Sequence, residues 1–501
     1  MSIQSPENRF LRLCTAEQSR KLDHDTIHSF GINGGVLMEI AGLKASEIIR
    51  HHVKEKSSGL YVCGKGNNAG DAFVIARYCS ELSGHPITVL LAAGDEDLSP
   101  DAEKYLNLLK KLADQNESIN IVKQNEQQLF ESADYIVDGM IGTGLSSDIR
   151  EPFLTCIKMA NSSSTITFSL DIPTGLHCDS GLILGECIQA DHTITFGTNK
   201  IGFYLNMGTS VTGEVHLADL PFPEHLRQNS ATLINDELAA ELSQSAQKAE
   251  HKYQKGIVHV VAGSAGMTGA AIMSAKSAWK AGAGAVILYT PGGLLSIYEQ
   301  TLPEIIKVPV GTKNSLYYET DHAKQILNKI KEKPGTVLLG PGLGKTDETK
   351  ALVRQLLDNL EQPVILDADG LSDWRHLKKR DKSNWIITPH IGELKNSMGI
   401  NFQNDAERLQ EIRKIADKHN TTVVSKGYPT LVASASYGNF ITGYDTRIFA
   451  KAGFGDVLAG TIAGKLAVNK NLIESVLAAM LHNLKHALRS ADPEPRDIYD
   501  R

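Results

Sequence analysis

Short apolar runs alternate with helical patterns along most of the chain. In the first half the runs cover 59–63, 87–93, 133–140, 165–172, 192–197 and 213–219; in the second half they cover 257–263, 285–290, 336–340, 364–369, 385–389 and 422–427. Many of them end in a turn that is rich in glycine or carries an aspartate, and a helical pattern follows. This alternation is typical of parallel α/β sheets with crossover helices. Further helices are predicted over 35–53 and, as two runs, after Gly455.

The pattern is interrupted once, from about 219 to 250. This stretch begins with prolines and continues as a polar segment rich in Ala, Gln and Glu. A chain of 501 residues is too long for one ordinary core, so two or three domains are expected. We therefore predict a domain over 10–220, a linker over 221–250 and a domain over 251–490. The absence of an internal period indicates two different α/β domains.

Composition excludes several classes of protein. The 51 basic and 58 acidic residues give a net charge of −7, and no basic block indicates nucleic acid as a partner. All six cysteines lie in the first 187 residues without a CxxC pair, which favours a reducing compartment. The chain shows neither a signal-peptide pattern nor an apolar run of about 18 residues, so we expect a cytoplasmic protein with no membrane partner. We also expect a homo-oligomer.

Three turns of the first half carry candidate chemistry. The strand at 59–63 leads into GKGNNAGD, residues 64–71, and then into a helix, which is how backbone N–H groups come to face an anion. Asn68 adds an amide oxygen suited to a cation or a sugar. Asp138 and Asp171 lie at the ends of two further predicted strands, and carboxyl ends of parallel strands meet at one sheet edge. Each turn alone is compatible with a purely structural role, whereas the three together favour a ligand site.

GNNAGD, DGMIGTGL, LDIPTGL and TFGTNKIGFYLNMG occur in that order over about 10–220. In this order they resemble the NAD(P)H-hydrate epimerase domain, which implies a Rossmann-like fold and interconversion of the R and S epimers of hydrated NAD(P)H. The resemblance implies that Asp171 binds substrate and moves a proton, and that potassium is held by Asn68, Asp138 and Thr174. It further implies substrate contacts from Asn67, Asn68, Ala69, Gly70, Asp71, Gly142, Thr143, Gly144, Leu145, Ser146, Ser147 and Asp148.

Chemistry agrees with these roles. Amide, hydroxyl and carboxylate oxygens are ligands that a hard cation accepts. Epimerisation beside a ring nitrogen requires reversible ring opening or loss of water, and hence a positioned acid or base. The sequence departs from the family pattern at Ala69 and Ala72, where glycine is usual, and at Thr174, where serine is common.

The second half contains its own ordered set of turns at predicted strand ends. They are GSAGMTGAA at 263–271, GPGLG at 340–344, TPHIGEL at 388–394, KGYPT at 426–430 and GFGD at 453–456. The set resembles the ADP- or ATP-dependent NAD(P)H-hydrate dehydratases over about 250–490. That resemblance implies a ribokinase-like α/β fold, phosphorylation of the added hydroxyl, and loss of phosphate to restore the nicotinamide ring.

The resemblance places Asp456 as a catalytic residue. It places Ala270, Gly342, Gly344, His390 and Asp456 at the hydrated cofactor, and Lys426, Gly427, Tyr428, Pro429, Thr430 and Gly455 at ADP or AMP. A hydroxyl loses its proton as it attacks a phosphoryl group, and Asp456 is a suitable acceptor. Backbone N–H groups at the start of the following helix can stabilise the transferred phosphoryl group.

Some roles stay open at the level of sequence. Asp367 and Asp369 either act through Mg²⁺ and water or fix a turn, and the donor is either ADP or ATP. Phe454 stands where the family usually has Thr, so a hydroxyl is lost and a bulky ring is gained. The chain lacks a GxxxxGK[ST] loop and the HRD and DFG motifs, which excludes Walker-type NTPases and protein kinases.

We expect an enzyme that repairs NADHX and NADPHX through both activities. The first alternative is a ribokinase-like kinase for a vitamin precursor, with a non-catalytic nucleotide-binding module at its N-terminus. The second is that one half serves only as a binding or scaffolding module. The presence of both Asp171 and Asp456 argues against the second alternative.

Overall fold

A computed structural model describes residues 11–235, 238, 256–377 and 382–500. The chain divides into two compact units, Met1–Thr232 and Leu233–Arg501. Within the described residues, no helix is both long and apolar enough to cross a membrane.

Unit 1 is a parallel sheet covered by helices. Its strands are β1 Arg12–Cys14, β2 Gly59–Cys63, β3 Ile87–Leu91, β4 Ile119–Val122, β5 Tyr135–Gly139, β6 Ile166–Leu170, β7 His192–Phe196, β8 Asn199–Lys200 and β9 Glu214–Ala218, and β10 Ala231–Ile234 crosses the boundary to unit 2. Its helices are α1 Ala16–His24, α2 Gly34–His52, α3 Asn67–Ser83, α4 Pro100–Ala113, α5 Gln127–Ser132, α6 Phe153–Ser162 and α7 Gly208–Val211, with a π-helix over Asp25–Phe30 and 3₁₀ turns over Ile201–Tyr204 and Glu224–Leu226.

Seven strands form the main sheet of unit 1 in the order β4-β3-β2-β5-β6-β7-β9, and every pair is parallel. Alternate side chains of β2 enter different cores: Tyr61 and Cys63 face one cluster, and Leu60 and Val62 face the other. Both faces of the sheet are therefore buried, as the continuous apolar runs predict. The strand order reverses between β2 and β5, and this is where open α/β sheets bind ligands.

Unit 2 has a second sheet with a different ending. Its strands are β11 Ile257–Val261, β12 Ala285–Pro291, β13 Ile306–Val310, β14 Thr336–Leu339, β15 Val364–Leu366, β16 Trp385–Ile387, β17 Thr422–Ser425, β18 Leu431–Ser434 and β19 Gly438–Thr442. Its helices are α8 Thr268–Lys280, α9 Leu295–Thr301, α10 His322–Glu332, α11 Asp347–Asn359, α12 Ile391–Asn396, α13 Asp405–His419, α14 Phe454–Asn469, α15 Leu472–Ala487 and α16 Arg496–Tyr499, and 3₁₀ turns cover Gly292–Leu294, Ala368–Leu371, Trp374–His376 and Thr446–Phe449.

Strands β13-β12-β11-β14-β15-β16-β17 pair in parallel, and β17-β18-β19 continue as an antiparallel meander. The carboxyl ends of β14, β15, β16 and β17 therefore open on one edge, where they deliver GPGLG, Asp367, TPHIGEL and Lys426. The two α/β folds predicted from the sequence are confirmed.

The segment after 220 differs from the predicted linker at its start. Phe222 is buried in a core cluster with Leu22, Leu37 and Ala41. Strand β10 then pairs antiparallel with β1, with Thr232 opposite Arg12. The polar composition of the segment hides these few anchoring residues, because one buried ring and a short strand suffice to fix it. Residues 236, 237 and 239–250, most of the rest of the predicted linker, lie outside the described part of the chain, as do residues 251–255 at the start of the predicted second domain.

Candidate functional site

A cavity of about 760 Å³ lies in unit 1 where the strand order reverses. Its walls come from the turns after β2 and β5, from the first turns of α2 and from the segment after β7. The volume is within the range of small-molecule sites. Helix α3 starts at this cavity without a side-chain cap on its first N–H groups. These donors are therefore available to a ligand, and the helix dipole favours an anion there.

Asp171 projects into this cavity from the end of β6, held in an unusual backbone conformation. Its φ is +62°, a left-handed value that a non-glycine residue adopts at an energetic cost. Its N–H donates to the carbonyl of Ile194 at 2.7 Å, and Lys200 Nζ lies 2.7 Å from Asp171 Oδ1. Because the side chain of Lys200 is 1% exposed, this ion pair is shielded from water on the lysine side.

Two more carboxyl groups line the same cavity. Asp23 faces the cavity, but the surrounding protein removes much of the water from its carboxyl group. This desolvation, followed by repulsion from Asp171, raises the pKa of Asp23 to about 6. Desolvation, followed by repulsion from Asp171 and Asp23, raises the pKa of Asp71 well above its usual range. Lys200 counters this effect and lowers the pKa of Asp23. The site can therefore hold protons on carboxyl groups near neutral pH.

Asp138 lies behind the cavity wall and is fully buried. Its carboxylate accepts hydrogen bonds from the Thr174 hydroxyl at 2.7 Å, the Thr174 N–H at 2.8 Å, the Ser169 hydroxyl at 3.0 Å and the Met140 N–H at 3.2 Å. Burial nevertheless raises the pKa of Asp138, since desolvation outweighs these donors. The network joins the turns after β5 and β6.

Asn68 is the least satisfied polar residue of this region. Both its amide oxygen and its amide nitrogen are buried without a hydrogen-bond partner in the structure. The side chain approaches Gly142: a Cβ added to that glycine would lie 3.7 Å from Asn68 Oδ1 and 3.5 Å from Asp171 Oδ2. Since buried polar groups are almost always paired, the free amide points to a polar ligand or an ion in this position.

The residues predicted for the first site separate into two groups. Those that line the cavity are Asn67, Asn68, Asp71, Gly142, Thr143, Gly144 and Asp171. Those outside its walls are Ala69, Gly70, Leu145, Ser146, Ser147 and Asp148, together with the buried Asp138 and Thr174. Gly70 and Ala69 face the core because α3 has already begun at Asn67.

In unit 2 the ends of β15 and β17 join through a salt bridge. Lys426 Nζ lies 2.6 Å from Asp367 Oδ1, and the same oxygen accepts a 2.7 Å hydrogen bond from the Thr388 hydroxyl. Burial alone would lower the pKa of Lys426, but Asp367 and Glu393 outweigh it and raise the pKa. Lys426 therefore stays charged at this edge of the sheet. Its direct partner is Asp367, the role of which the sequence left open.

Asp456 lies in the first turn of α14 beside this pair. Burial, followed by the negative charge of Asp367, raises the pKa of Asp456 to about 7, against an opposing effect of Lys426. Burial likewise raises the pKa of Glu393. A carboxyl group poised near neutral pH in a polar cleft has the properties expected of a general base.

The start of α14 is shaped for a close approach by an anion. Gly453 caps it with a φ of +97° and no side-chain hydrogen bond, so the first N–H groups are free of a side-chain cap. A Cβ added to Gly455 would lie 3.3 Å from Lys426 Nζ. Positive charge from lysine and from the helix N-terminus is thus combined at one point.

Other predicted residues surround the cleft at different depths. Gly344 donates its N–H to Asp369 Oδ2 at 2.9 Å. Gly342 packs near Ala270, since a Cβ added to Gly342 would lie 3.0 Å from the Cβ of Ala270. His390 caps α12, because its Nδ1 accepts from the Gly392 N–H at 2.9 Å. Its side chain is still 58% exposed, and its Nε2 lies 3.4 Å from Glu393 Oε1.

A second cavity, of about 230 Å³, adjoins the lysine. Its walls contain five of the predicted nucleotide residues, namely Lys426, Gly427, Tyr428, Thr430 and Gly455. Pro429 lies outside the wall, follows a cis peptide bond and accepts a 2.6 Å hydrogen bond from the buried Arg408. Aromatic and sulfur-containing side chains complete the walls: Tyr444, Phe449, Phe454 and Met480. Such surfaces suit a planar base.

Phe454 has a structural role that the sequence pattern does not reveal. Its ring is 3% exposed, contacts Phe449 edge-on at 5.2 Å and packs with Val457, Ala487 and Ile498. The ring thus joins the start of α14 to the C-terminal segment and also borders the small cavity.

Lys200 and Asp23 were missed by the sequence analysis. Lys200 stands inside the TFGTNKIGFYLNMG motif, three residues after the predicted strand at 192–197, and a lysine at that place was a usable signal. Asp23 lies in a helical stretch among polar residues and gives no signal. In unit 2, Thr388 and Glu393 were part of a quoted motif without a role.

Comparison with known proteins finds two family models along the chain. Residues 34–202 match the model described as YjeF-related protein N-terminus, and residues 258–494 match the model described as NAD(P)H-hydrate dehydratase.

Curated relatives match nearly the whole length. The bifunctional NAD(P)H-hydrate repair enzyme of Salinibacter ruber is 30% identical over 489 residues, which cover 93% of this chain and 90% of the relative. The enzyme of the same description from Escherichia coli is 30% identical over 461 residues, covering 90% and 84%. A solved ADP/ATP-dependent NAD(P)H-hydrate dehydratase from Bacillus subtilis, co-crystallised with ATP/Mg²⁺, is 25% identical with a TM-score of 0.43 and covers 51% of this chain and 90% of its own.

Proposed function

We propose how individual residues divide the work in this chain, which belongs to the family of bifunctional NAD(P)H-hydrate repair enzymes. It is an enzyme with two activities: it interconverts the epimers of hydrated NAD(P)H, and it dehydrates hydrated NAD(P)H. An adenine nucleotide is the proposed co-substrate of the dehydration. The proposal concerns which side chains carry each step, which ions assist, and what each cavity holds.

Asp171 is the acid–base residue of the epimerase site in this proposal. Opening the hydrated ring requires that the hydroxyl lose its proton while the bond from its carbon to the ring nitrogen breaks; closing from the other face reverses both changes. Support comes from the backbone of Asp171, held at a φ of +62°, and from its ion pair with Lys200. Asp23 and Asp71 line the same cavity and hold protons near neutral pH, so they can supply the proton that the nitrogen needs.

We place a potassium ion near Asn68, Asp138 and Thr174. The donor set consists of amide, carboxylate and hydroxyl oxygens, which fits a hard cation. The supporting observation is the buried Asn68 amide oxygen, which has no partner in the structure. Asp138 already accepts four hydrogen bonds, so Asn68 carries most of this argument. Bound there, potassium would orient polar groups of the substrate. Exchange of potassium for sodium is expected to lower epimerisation and to leave dehydration of the S epimer unchanged.

In the dehydratase site, Asp456 takes the proton of the hydroxyl as that oxygen attacks the terminal phosphoryl group of the nucleotide. The N–H groups that follow Gly453 and the ammonium of Lys426 stabilise the charge on that group. The C–O bond to phosphate then breaks with its electron pair leaving on phosphate, and the adjacent ring carbon loses a proton as the ring double bond re-forms. The observation that carries this proposal is the meeting of Asp456, Lys426 and the open end of α14 beside a cavity lined by aromatic rings.

Mg²⁺ is expected to enter with the nucleotide. Asp369 offers a carboxylate that already fixes the turn after β14 through the Gly344 N–H, and Asp367 is engaged by Lys426. Carboxylates and phosphate oxygens together form the ligand set that Mg²⁺ prefers. The ion would neutralise phosphate charge there.

The test is recovery of reduced nicotinamide absorbance from hydrated NADH and NADPH, with ADP and with ATP in parallel. We expect Asp456→Asn to abolish recovery while epimerisation continues, and Asp171→Ala to confine repair to one epimer. Lack of recovery with either nucleotide would refute the dehydratase mechanism. If both variants lose the same activity, the proposed assignment of roles is wrong.

A further inference from the structure

Four side chains with metal-binding atoms meet in unit 1 away from both sites. They are His52, His192, Glu214 and His216, and one ligand atom from each lies within 4.8 Å of all the others. They come from three separate elements: the last residue of α2, the first residue of β7 and two positions on β9. The three imidazoles and the carboxylate come from separate elements, so the fold brings them together and a local sequence motif does not.

We propose that these four residues bind one divalent transition-metal ion, with zinc as the expected occupant. Imidazole and carboxylate are common protein ligands of zinc, and three histidines with a carboxylate make a complete tetrahedral set. Metal–ligand bonds of about 2.0–2.1 Å set neighbouring ligand atoms about 3.3 Å apart in a tetrahedron. His192 Nδ1 and His216 Nε2 are already 3.1 Å apart.

The ring orientations support this assignment. His52 Nδ1 donates to the carbonyl of Ile48 at 2.8 Å, which leaves the lone pair on Nε2. A metal-binding histidine typically fixes its tautomer in this way, by donating its other ring N–H to a carbonyl. The rings of His52 and His192 have centroids 4.2 Å apart. Glu214 Oε2 lies 3.8 Å from His192 Nδ1, and the glutamate side chain is 66% exposed, so it can swing to complete the set.

The location assigns the ion a structural role. His192 begins β7, whereas the cavity residue Phe196 ends it, about 13 Å away at 3.3 Å per residue. The site is therefore at the opposite end of the strand from the substrate cavity. An ion there would tie the end of α2 to β7 and β9, and the first turns of α2 form part of the cavity wall. Bound metal is expected to stabilise unit 1 without entering the chemistry.

The experiment uses the full-length chain after treatment with a chelator. Zn²⁺ is titrated against a chromophoric chelator in excess Mg²⁺, and Co²⁺ is used as the spectroscopic probe. We expect one ion per chain, the intense visible bands of four-coordinate Co²⁺ and an increase in Tm on binding. His52→Gln is expected to weaken Zn²⁺ binding about 100-fold and Glu214→Gln about 10-fold.

Two controls separate this site from ordinary surface histidines. His51→Gln removes the exposed neighbour of His52 and is expected to leave affinity unchanged. The second control is the double variant His482→Gln with His486→Gln, a pair one turn apart on α15 with ring centroids at 4.2 Å, which supplies only two ligands. Glu214→Gln changes an exposed side chain, so its result does not depend on refolding of the core.

The proposal is overturned by any of three results. They are absence of zinc binding in the presence of excess Mg²⁺, unchanged affinity in both His52→Gln and Glu214→Gln, and loss of binding only in the His482 and His486 variant. Epimerase and dehydratase rates measured with and without Zn²⁺ complete the test, since a direct effect on the chemistry would contradict the structural role.

Discussion

Replacement of Asp456 by Asn tests the electrostatics of the dehydratase site through stability. Burial and Asp367 raise the pKa of this carboxyl from 3.8 to about 7. Because the pKa of Asp456 is higher in the folded than in the unfolded chain, the folded chain binds the proton of this carboxyl group more tightly at pH values between the two. Wild-type stability therefore falls as pH rises from about 4 to about 7. Asn carries no charge, so the variant escapes this loss.

The size of the effect follows from the shift. About three pKa units at 1.36 kcal/mol each set an upper limit of about 4 kcal/mol at pH 8. Asp456 is only partly buried, and relaxation of its surroundings reduces the figure, so we expect about 2 kcal/mol. In a unit of this size that corresponds to an increase in Tm of about 4–8 °C. At pH 5 the difference is expected to be less than half as large.

The assay is thermal unfolding of the wild type and Asp456→Asn at pH 5 and pH 8 without nucleotide. Asp445→Asn serves as the matched control, because a hydrogen bond from Arg447 lowers the pKa of Asp445 and its removal has the opposite sign. A gain in Tm that is equal at both pH values, or a loss at pH 8, would refute the reasoning. In the wild type, kcat/KM for dehydration should rise with pH through about 7, as Asp456 ionises.

Three further substitutions address the remaining contacts. Lys200→Met should lower the epimerisation rate by at least about 100-fold, because it removes the ion-pair partner that lies 2.7 Å from Asp171. Recovery from the S epimer should persist. An unchanged epimerisation rate would contradict the role of this ion pair. Phe454→Thr should lower the free energy of unfolding by about 3 kcal/mol in denaturant, because it leaves the buried position of the ring partly empty. An unchanged free energy of unfolding would exclude the packing role of the ring. Gly455→Ala should weaken ADP binding about 10-fold in calorimetry, because its Cβ would lie 3.3 Å from Lys426 Nζ; unchanged affinity would place the phosphate elsewhere.

Most of the architecture followed from hydrophobic patterning. Each apolar run from 59–63 to 422–427 that was predicted as a strand contains one. The signal is clearest where a strand is buried on both faces and therefore continuously apolar, as in β2 and β15. The strands that were missed are short or lie at an edge, such as β4 and β13, or belong to the meander β18-β19. Polar residues or proline interrupt the apolar pattern of several of them, namely Asn120 in β4, Lys307 and Pro309 in β13 and Asn439 in β19, which weakens the signal.

The sites were predictable only in part, for a physical reason. Motifs mark turns at strand ends, so they located Asp171, Asp456 and Lys426. They carry no information about which charges face each other across a cleft. Asp23 enters the first cavity from a helix far away in sequence, and only the folded chain brings it near Asp171.

The two sites share an electrostatic arrangement. In each, one lysine pairs closely with one aspartate, Lys200 with Asp171 and Lys426 with Asp367, at 2.7 Å and 2.6 Å. Further carboxyl groups lie close to each pair, so burial, followed by their repulsion, raises the pKa of Asp71 in the first site and of Asp456 in the second.

Burial and this repulsion bring carboxyl pKa values towards neutral pH, where a carboxyl group can either take or give a proton. The proposed catalytic aspartates differ in one respect, because Asp171 is the paired member of its site and Asp456 is an unpaired one. Lysine replacement should therefore disturb Asp171 directly, by removing its ion pair. At Asp456 the loss of Lys426 would instead raise the pKa further, because that cation lowers it. The pH profile of dehydration should then move to higher pH in Lys426→Met, and a shift in the other direction would contradict this account of the site.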